Sequence, residues 1–303
     1  AAPAPAAPRR ALGRGPAPRQ ETAMGQGMGQ CQCVEACKTP GAEVVQQAPV
    51  QKKSVGQALS FAQGAARERR PEFAFDTGIV YTGDWIGDQR DGEGVQVWPD
   101  GTRYEGQWQA DMAQGWGRFT HADGDVYDGN WLADQAHGVG TYYHVDGSKH
   151  EGRWKYDKQC GPGTEVWVDG ARYEGDYLDG KKHGKGKFAF ADGSRFEGGF
   201  RDNDIHGEGT YTWVDGRTYV GQWAGNKMEG RGTFLWPDGR AFEGEYANDV
   251  KHGRGVFRWP DGRQYDGEWR EGKQHGSGTS ISATGERRLG VWENGKRVMW
   301  MSE

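Results

Sequence analysis

The chain has 303 residues, of which 34% are apolar and 27% charged, and no run approaches the ~18 apolar residues of a membrane-spanning helix. Three of its four cysteines cluster at Cys31, Cys33 and Cys37, which makes no disulfide framework for a chain this long and favours a reducing compartment. Charge is split: residues 1–70 hold ten basic and four acidic groups, net +6, whereas 71–303 hold 28 and 39, net −11, with every Trp and Tyr.

In chain order, residues 1–70 come first, rich in Ala, Pro, Gly and Gln. Ala1 to Pro18 has no continuous apolar core and is not expected to act as a secretory signal. The segment has too little apolar surface to offset chain entropy and is expected to be disordered. A short helix over Gln57–Arg70 would have a narrow apolar face of Leu59, Phe61 and Ala62. Met28-Gly29-Gln30-Cys31-Gln32-Cys33 has two readings. One is N-myristoylation at Gly29 with palmitoylation at Cys31 and Cys33, which requires translation from Met28 and puts Cys33 where Ser or Thr is usual. The other is a chance Met-Gly step in a linker. A metal site on the three cysteines would lack a fourth ligand. Lys52, Lys53, Arg67, Arg69 and Arg70 either serve a solvated linker or contribute about 1 kcal/mol each against an anionic lipid surface.

Residues 71–78 follow, where Phe73-Ala74-Phe75 and Thr77-Gly78 read as the second strand of a capping half-repeat. From 79 to 303 the chain repeats. An aromatic-x-Gly-x-aromatic pattern recurs every 23 residues at Tyr81/Gly83/Trp85, Tyr104/Gly106/Trp108, Tyr127/Gly129/Trp131, His150/Gly152/Trp154 and Tyr173/Gly175/Tyr177. It continues at Phe196/Gly198/Phe200, Tyr219/Gly221/Trp223, Phe242/Gly244/Tyr246 and Tyr265/Gly267/Trp269, with a worn tenth copy at Arg288/Gly290/Trp292. A Gly-x-Gly pair keeps the same register from Gly92/Gly94 to Gly276/Gly278, as does an Asp-Gly step from Asp100-Gly101 to Asp261-Gly262.

Period-two alternation broken by Asp-Gly marks strands joined by a hairpin turn. Each period is thus expected to be two antiparallel strands, one ending near a Gly-x-Gly turn and the other at Asp-Gly. Side chains at i, i+2 and i+4 share a face, so each glycine leaves a slot between rings into which a ring from a neighbouring strand can lie. The intervening Glu105, Asp128, Glu151, Glu174, Glu197, Glu243 and Asp266 suit a solvated, acidic face. The fold class is all-β: an elongated single-layer antiparallel meander of ten hairpin repeats. About 21 strands at roughly 4.8 Å give roughly 100 Å. Small-angle scattering by 71–303 should then give a radius of gyration near 28–30 Å, against roughly 17–18 Å for a compact domain of that length.

Little in this pattern points to chemistry. The Gly-x-Gly pairs lead into strands, so no helix N-terminus faces a phosphate. His137, His183, His206, His252 and His275 recur two strands apart, roughly 10 Å, too far to share a metal held at roughly 2.0–2.1 Å. Packing of each ring on the adjoining glycine turn is the expected role. The acids form a face rather than a distinguished pair, and Cys160 takes one of the histidine positions. No enzyme activity, cofactor, metal or nucleic-acid partner is expected.

Tyr-Glu-Gly-Asp-Tyr over 173–177, followed by Lys-His-Gly-Lys-Gly over 182–186, resembles the MORN (membrane occupation and recognition nexus) repeat. The resemblance covers residues 72–300 in ten tandem copies. It implies a non-catalytic scaffold in the cytoplasm, on the cytoplasmic face of a membrane, or on cytoskeletal or ciliary structures. Its aromatic groove would hold a protein partner, and its tail would meet anionic lipid. The other function class is a phosphoinositide- or phosphatidate-binding module regulating a lipid kinase in trans, for which Lys181, Lys182, Lys185 and Lys187 supply the body's one basic cluster. A second copy of the chain is a further candidate partner.

Overall fold

A computed structural model describes residues 66–301. The expectations for Gly29, Cys31 and Cys33, and for the tail up to residue 65, lie outside the described residues. Among those described, one compact unit ends at Gly163 and the other begins at Thr164.

The first unit holds β1 (Glu68–Ala74), β2 (Val80–Ile86), β3 (Gln89–Val97), β4 (Arg103–Gln109), β5 (Met112–Thr120), β6 (Val126–Leu132), β7 (Gln135–Tyr143) and β8 (Lys149–Lys155). The division falls within β9 (Lys158–Val166). The second unit holds β10 (Arg172–Leu178), β11 (Lys181–Ala189), β12 (Arg195–Arg201), β13 (Asp204–Thr212), β14 (Thr218–Ala224) and β15 (Lys227–Leu235). It ends with β16 (Ala241–Ala247), β17 (Val250–Arg258), β18 (Gln264–Arg270), β19 (Lys273–Ile281), β20 (Arg287–Glu293) and β21 (Lys296–Trp300). Within each unit, sequence neighbours pair antiparallel in a single-layer meander, and no helix occurs among the described residues. A seven-residue strand, a two-residue turn, a nine-residue strand and a five-residue connection complete the period.

The Asp-Gly step is the expected turn. Gly101 N–H donates to the Trp98 carbonyl at 3.0 Å, and Gly101 takes φ +91°. This is a three-residue loop whose last residue must be left-handed, hence glycine. The other turn is not Gly-x-Gly. It lies at pairs such as Ala110-Asp111 and Asn248-Asp249, where both residues have positive φ, as a type I′ turn requires. Gly-x-Gly sits inside the nine-residue strand. There the register jumps from Gly83↔Gly94 to Trp85↔Arg90, so three residues of β3 face one of β2. The first glycine, Gly92, takes φ +118° at this bulge, and Asp84 Oδ2 accepts the Glu93 N–H at 3.1 Å. A left-handed glycine serves a bulge as readily as a turn, and the local sequence does not distinguish them.

The second glycine of each pair joins a row. Gly83, Gly94, Gly106, Gly117, Gly129, Gly140 and Gly152 are cross-strand partners through the first unit. A matching row runs from Gly175 to Gly290 in the second. One ring covers a pair of slots: a Cβ on Gly221 would meet Tyr219 Oη of its own strand at 2.7 Å, and a Cβ on Gly232 of the paired strand would meet the same ring. The tyrosine two residues before Gly221 folds back along the face over both glycines, so the slot at Gly221 is filled from its own strand and the slot at Gly232 from the neighbouring one.

Type I′ turns link successive repeats. Asn226 N–H donates to the Ile205 carbonyl at 3.1 Å while its Oδ1 accepts the Ile205 N–H at 2.7 Å. Asp111, Asp134, Asp157, Asn203 and Asp249 receive N–H donors the same way from Arg90, Ala113, Ala136, Lys182 and Met228. Asn226→Ala removes the acceptor and puts alanine at φ +66°. We expect a loss of about 1–3 kcal/mol, read by equilibrium denaturation.

Two further differences concern composition. β1 begins at Glu68, inside the stretch expected to be tail, because Arg69 and Arg70 pair with Asp84 and Gly83 through backbone and a ladder needs no apolar side chain. The capping half-repeat therefore starts earlier than residue 71. The solvated face is also less acidic than expected. Glu105 pairs with Val95 and Arg118, and Glu243 with Thr233 and Val256, since the nine-residue strand puts neutral and basic residues between the acids.

Candidate functional site

The repeat aromatics form the core of each unit. Tyr81, Tyr104, Tyr127, Tyr173, Tyr219 and Tyr265 are between 0% and 3% exposed. Each donates its hydroxyl to a main-chain carbonyl three residues on, at 2.9–3.1 Å. Burial pushes the Tyr81 and Tyr265 phenols up to about 12. Trp85, Trp108, Tyr177, Trp223 and Trp269 are buried beside them, and Trp131 partly so. Within each unit the rings meet edge to face in a continuous series. In the second unit Phe196 meets Trp223 at 5.6 Å, Trp223 meets Tyr219 at 5.1 Å, and Tyr219 meets Tyr246 at 5.2 Å. Such pairs contribute about 0.5–1.5 kcal/mol beyond burial. Gly83, Gly106, Gly129, Gly175, Gly221 and Gly267 lie in the glycine rows beneath them. This set is structural. The aromatic groove expected to receive a partner is not formed by these rings, because they pack edge to face on one another over the glycine rows and are almost fully buried.

A second aromatic row lies at the five-residue connections. In the second unit it includes Trp213, Trp236 and Trp259. Trp236 and Trp259 are half-buried, and Trp213 is more deeply set, with a 7% exposed edge. Arg217, Arg240 and Arg263 lie over these rings, 5.6, 5.4 and 5.7 Å from the centroids. Each guanidinium is held 2.7 Å from the carboxylate of its own turn, Asp215, Asp238 or Asp261. The Arg217 guanidinium hydrogen-bonds Asp215 and holds that carboxyl below the usual carboxylate range. The turn fixes the aspartate, the aspartate fixes the arginine, and the arginine presents a planar cation across the indole. Trp223 and Trp269 donate Nε1–H to the carbonyls of Gly209 and Gly255. Trp213, Trp236 and Trp259 have no such acceptor among the described residues. The motif Trp-x-Asp-Gly-Arg, three times at 23-residue spacing, carried this signal in the sequence. The Asp-Gly step alone does not disclose it, because the arginine's place over the indole depends on how the turn folds.

A third feature is a buried cation at one repeat position, solved three ways. Arg90 hydrogen-bonds Gln96, pairs with Asp111 at 3.0 Å and lies 4.3 Å from the Trp108 centroid. Lys182 pairs with Glu165 at 2.7 Å. Lys251, 7% exposed, has no carboxylate or hydrogen-bond acceptor among the described residues. Its Nζ lies 4.8–5.2 Å from the centroids of Trp236, Phe242, Phe257 and Trp269. Burial, aided by the Arg240 charge, pushes its ammonium down from 10.5 to about 8. Between those values the unfolded chain binds the extra proton, so this group's penalty on stability fades as pH rises. Met228 fills the equivalent place one repeat earlier and is fully buried. Lys251→Met should therefore be more stable than wild type at pH 7, by on the order of 3 kcal/mol, with the gap closing near pH 10. Denaturation of both proteins at both pH values checks this, since tyrosine ionisation acts on both alike.

The basic cluster is largely neutralised. Lys181 pairs with Asp202 at 3.3 Å, Lys182 with Glu165 at 2.7 Å and Lys187 with Glu197 at 3.2 Å. The recurring histidines do not converge. His206 meets Arg201, His137 meets Tyr156 edge to face at 5.0 Å, and no group of metal-ligating side chains occurs among the described residues.

The MORN repeat family model matches nine consecutive segments: 81–103, 104–126, 127–149, 150–172, 173–195, 196–216, 219–239, 242–262 and 265–287. Comparison with curated protein sequences finds no match. Among solved structures, the wild-type TCP10 domain of Danio rerio CPAP is 15% identical, with a TM-score of 0.37 over 69% of this chain and 99% of that one. The Drosophila melanogaster SAS-4 TCP domain, in complex with a proline-rich motif of Ana2, is 14% identical, with a TM-score of 0.31 over 62% and 95%. Virginiamycin B lyase from Staphylococcus aureus is 13% identical, with a TM-score of 0.14 over 73% and 69%. At these TM-scores the likenesses carry no argument about this chain.

Proposed function

Since the chain belongs to the MORN repeat family, we propose that it is a non-catalytic scaffold that holds an extended, proline-containing segment of a partner protein along Trp213, Trp236 and Trp259. The observation that carries this reading is the set of three indole N–H groups without an intramolecular acceptor among the described residues, each beside a stacked arginine. Equivalent positions in neighbouring repeats are two strands apart, roughly 10 Å. A polyproline helix returns to the same face every three residues, roughly 9 Å. The exposed indole edges and the arginines over them would border the segment while the N–H donors meet its carbonyls, as in other aromatic-lined grooves for such ligands. The core rows are committed to holding the sheet, which supports a binding role rather than catalysis. The protein is read as cytoplasmic, serving cytoskeletal or membrane-associated assembly. The lipid-binding alternative draws little support from the body, because its lysine cluster is paired with carboxylates.

Selection of peptides from a random display library on the full chain tests the proposal. Binders should carry prolines at three-residue spacing. Trp213→Phe, Trp236→Phe and Trp259→Phe together keep an aromatic ring at each place but remove the donors, and should weaken binding about tenfold or more while the array stays folded, its melting temperature lowered by the lost ring area. Binders without that period, or indifferent to the triple substitution, would overturn it.

A further inference from the structure

We propose that two copies of this chain associate by pairing β21 with β21, antiparallel across a two-fold axis. Among the described residues β21 hydrogen-bonds to β20 alone, so its other side presents N–H and C=O groups as a template for a further strand. β1 likewise pairs on one side only, with β2, but it is blunted. Pro71 interrupts it, its register breaks between Arg70 and Phe73, and Glu68, Arg69, Arg70 and Glu72 line it. β21 has no proline, and from Val298 to Met301 the chain carries no charged side chain.

The face beside this edge changes character in the same place. Leu289 stands where the two preceding copies have Glu243 and Asp266, and Val291 where they have Glu245 and Glu268. Met299 lies opposite Val291, and Met301 donates its N–H to the Leu289 carbonyl at 3.0 Å. Leu289, Val298, Met299 and Met301 are 45–60% exposed. A face that is acidic at these positions thus turns apolar at the last hairpin, beside an unpaired edge, which marks an interaction surface.

The order of charge along β21 selects a second copy in the antiparallel sense. Lys296-Arg297 leads and Val298-Met299-Trp300 follows, so parallel pairing would set two basic ends side by side. Antiparallel pairing about a point between Val298 and Met299 sets Arg297 of each copy opposite Trp300 of the other, and Lys296 opposite Met301. Arg297 already lies over its own Trp300, 4.1 Å from the centroid, so cation and ring share a face and suit that exchange. The two Arg297 side chains then stand three residues apart along the ladder, roughly 10 Å, where salt screens their repulsion. Val298 and Met299 of the two copies meet at the axis. The contact uses none of Trp213, Trp236 and Trp259 and is independent of the partner-segment reading.

Sedimentation equilibrium of the full chain between about 1 and 100 μM should show monomer and dimer in exchange. Met299→Lys sets like charges beside the axis and should raise the dimer Kd about tenfold or more, as should Met299→Glu. Met299 is exposed, so both variants should keep the β-sheet circular dichroism of the wild type. An equimolar mixture of the two variants should recover the dimer as mixed pairs. A wild type that stays monomeric throughout that range overturns the proposal. So does a dimer that both substitutions leave unchanged, or a mixture that associates no better than either variant alone.

Discussion

Gly221→Val should unfold the second unit under conditions where the wild type is stable, with an expected cost of about 4 kcal/mol or more. The reason is backbone contact rather than backbone conformation. A Cβ at Gly221 would stand 2.5 Å from the Cα of Gly232, 2.6 Å from the Arg231 carbonyl oxygen and 2.7 Å from Tyr219 Oη. The first two are main-chain atoms of the paired strand, fixed by the ladder between β14 and β15. The third belongs to a fully buried ring. None can retreat without breaking the register that also aligns Gly209 and Gly244 in the row. Gly225, two residues beyond Trp223, is the control. It takes φ +54°, and a Cβ there would meet nothing within 4 Å, so Gly225→Ala should cost only about 1–2 kcal/mol. Urea denaturation followed by tryptophan fluorescence measures both. Equal midpoints for Gly221→Val and wild type would remove the packing role assigned to the glycine row.

Trp223→Ala should cost about 3–5 kcal/mol, the usual range for losing a buried large aromatic. Trp223 is 2% exposed and is shared between repeats, meeting Phe196 at 5.6 Å and Tyr219 at 5.1 Å, both edge to face. Its Nε1–H donates to the Gly209 carbonyl at 3.3 Å, tying the ring to the strand before it. Truncation therefore takes a ring from Phe196, Tyr219 and Tyr211, the last 6.0 Å away, and one hydrogen bond from the link between repeats. In a tandem array stability is approximately a sum of repeat and nearest-neighbour contributions. The loss should therefore appear as broken cooperativity as well as a lower midpoint, with the repeats on either side melting separately. Trp223→Phe keeps the ring contact and removes the hydrogen bond, and should cost about 1 kcal/mol for that bond beyond the lost ring area. Calorimetry distinguishes the two: one broadened or split transition for alanine, one sharp and slightly lowered transition for phenylalanine.

The 23-residue period, the two alternating segments in each copy, the Asp-Gly turn and the capping half-repeat were all legible in the amino-acid order. Each is local. Asp-Gly adopts its turn because of φ preferences within a few residues, and alternation puts Tyr219, Gly221 and Trp223 on one face whatever lies beside them. The tertiary structure decided everything that depends on residues about twenty apart. Gly92 and Gly94 look alike in sequence, yet one relieves a bulge and the other joins the glycine row, because Gly83 across the ladder meets only the second. Asn226 is an ordinary polar turn residue until Ile205, from the previous repeat, offers it an N–H. The central tyrosines and the Trp213, Trp236 and Trp259 row are equally aromatic on paper. Which row closes the core and which borders the surface follows from where the i−2 ring folds back over the glycines. Lys182 and Lys251 occupy the same position in the period, and their chemistry differs because one packs beside Glu165 and the other beside Phe234. A side chain's partners across the sheet, not its own identity, set its ionisation and its availability, because burial and neighbouring charge act through space.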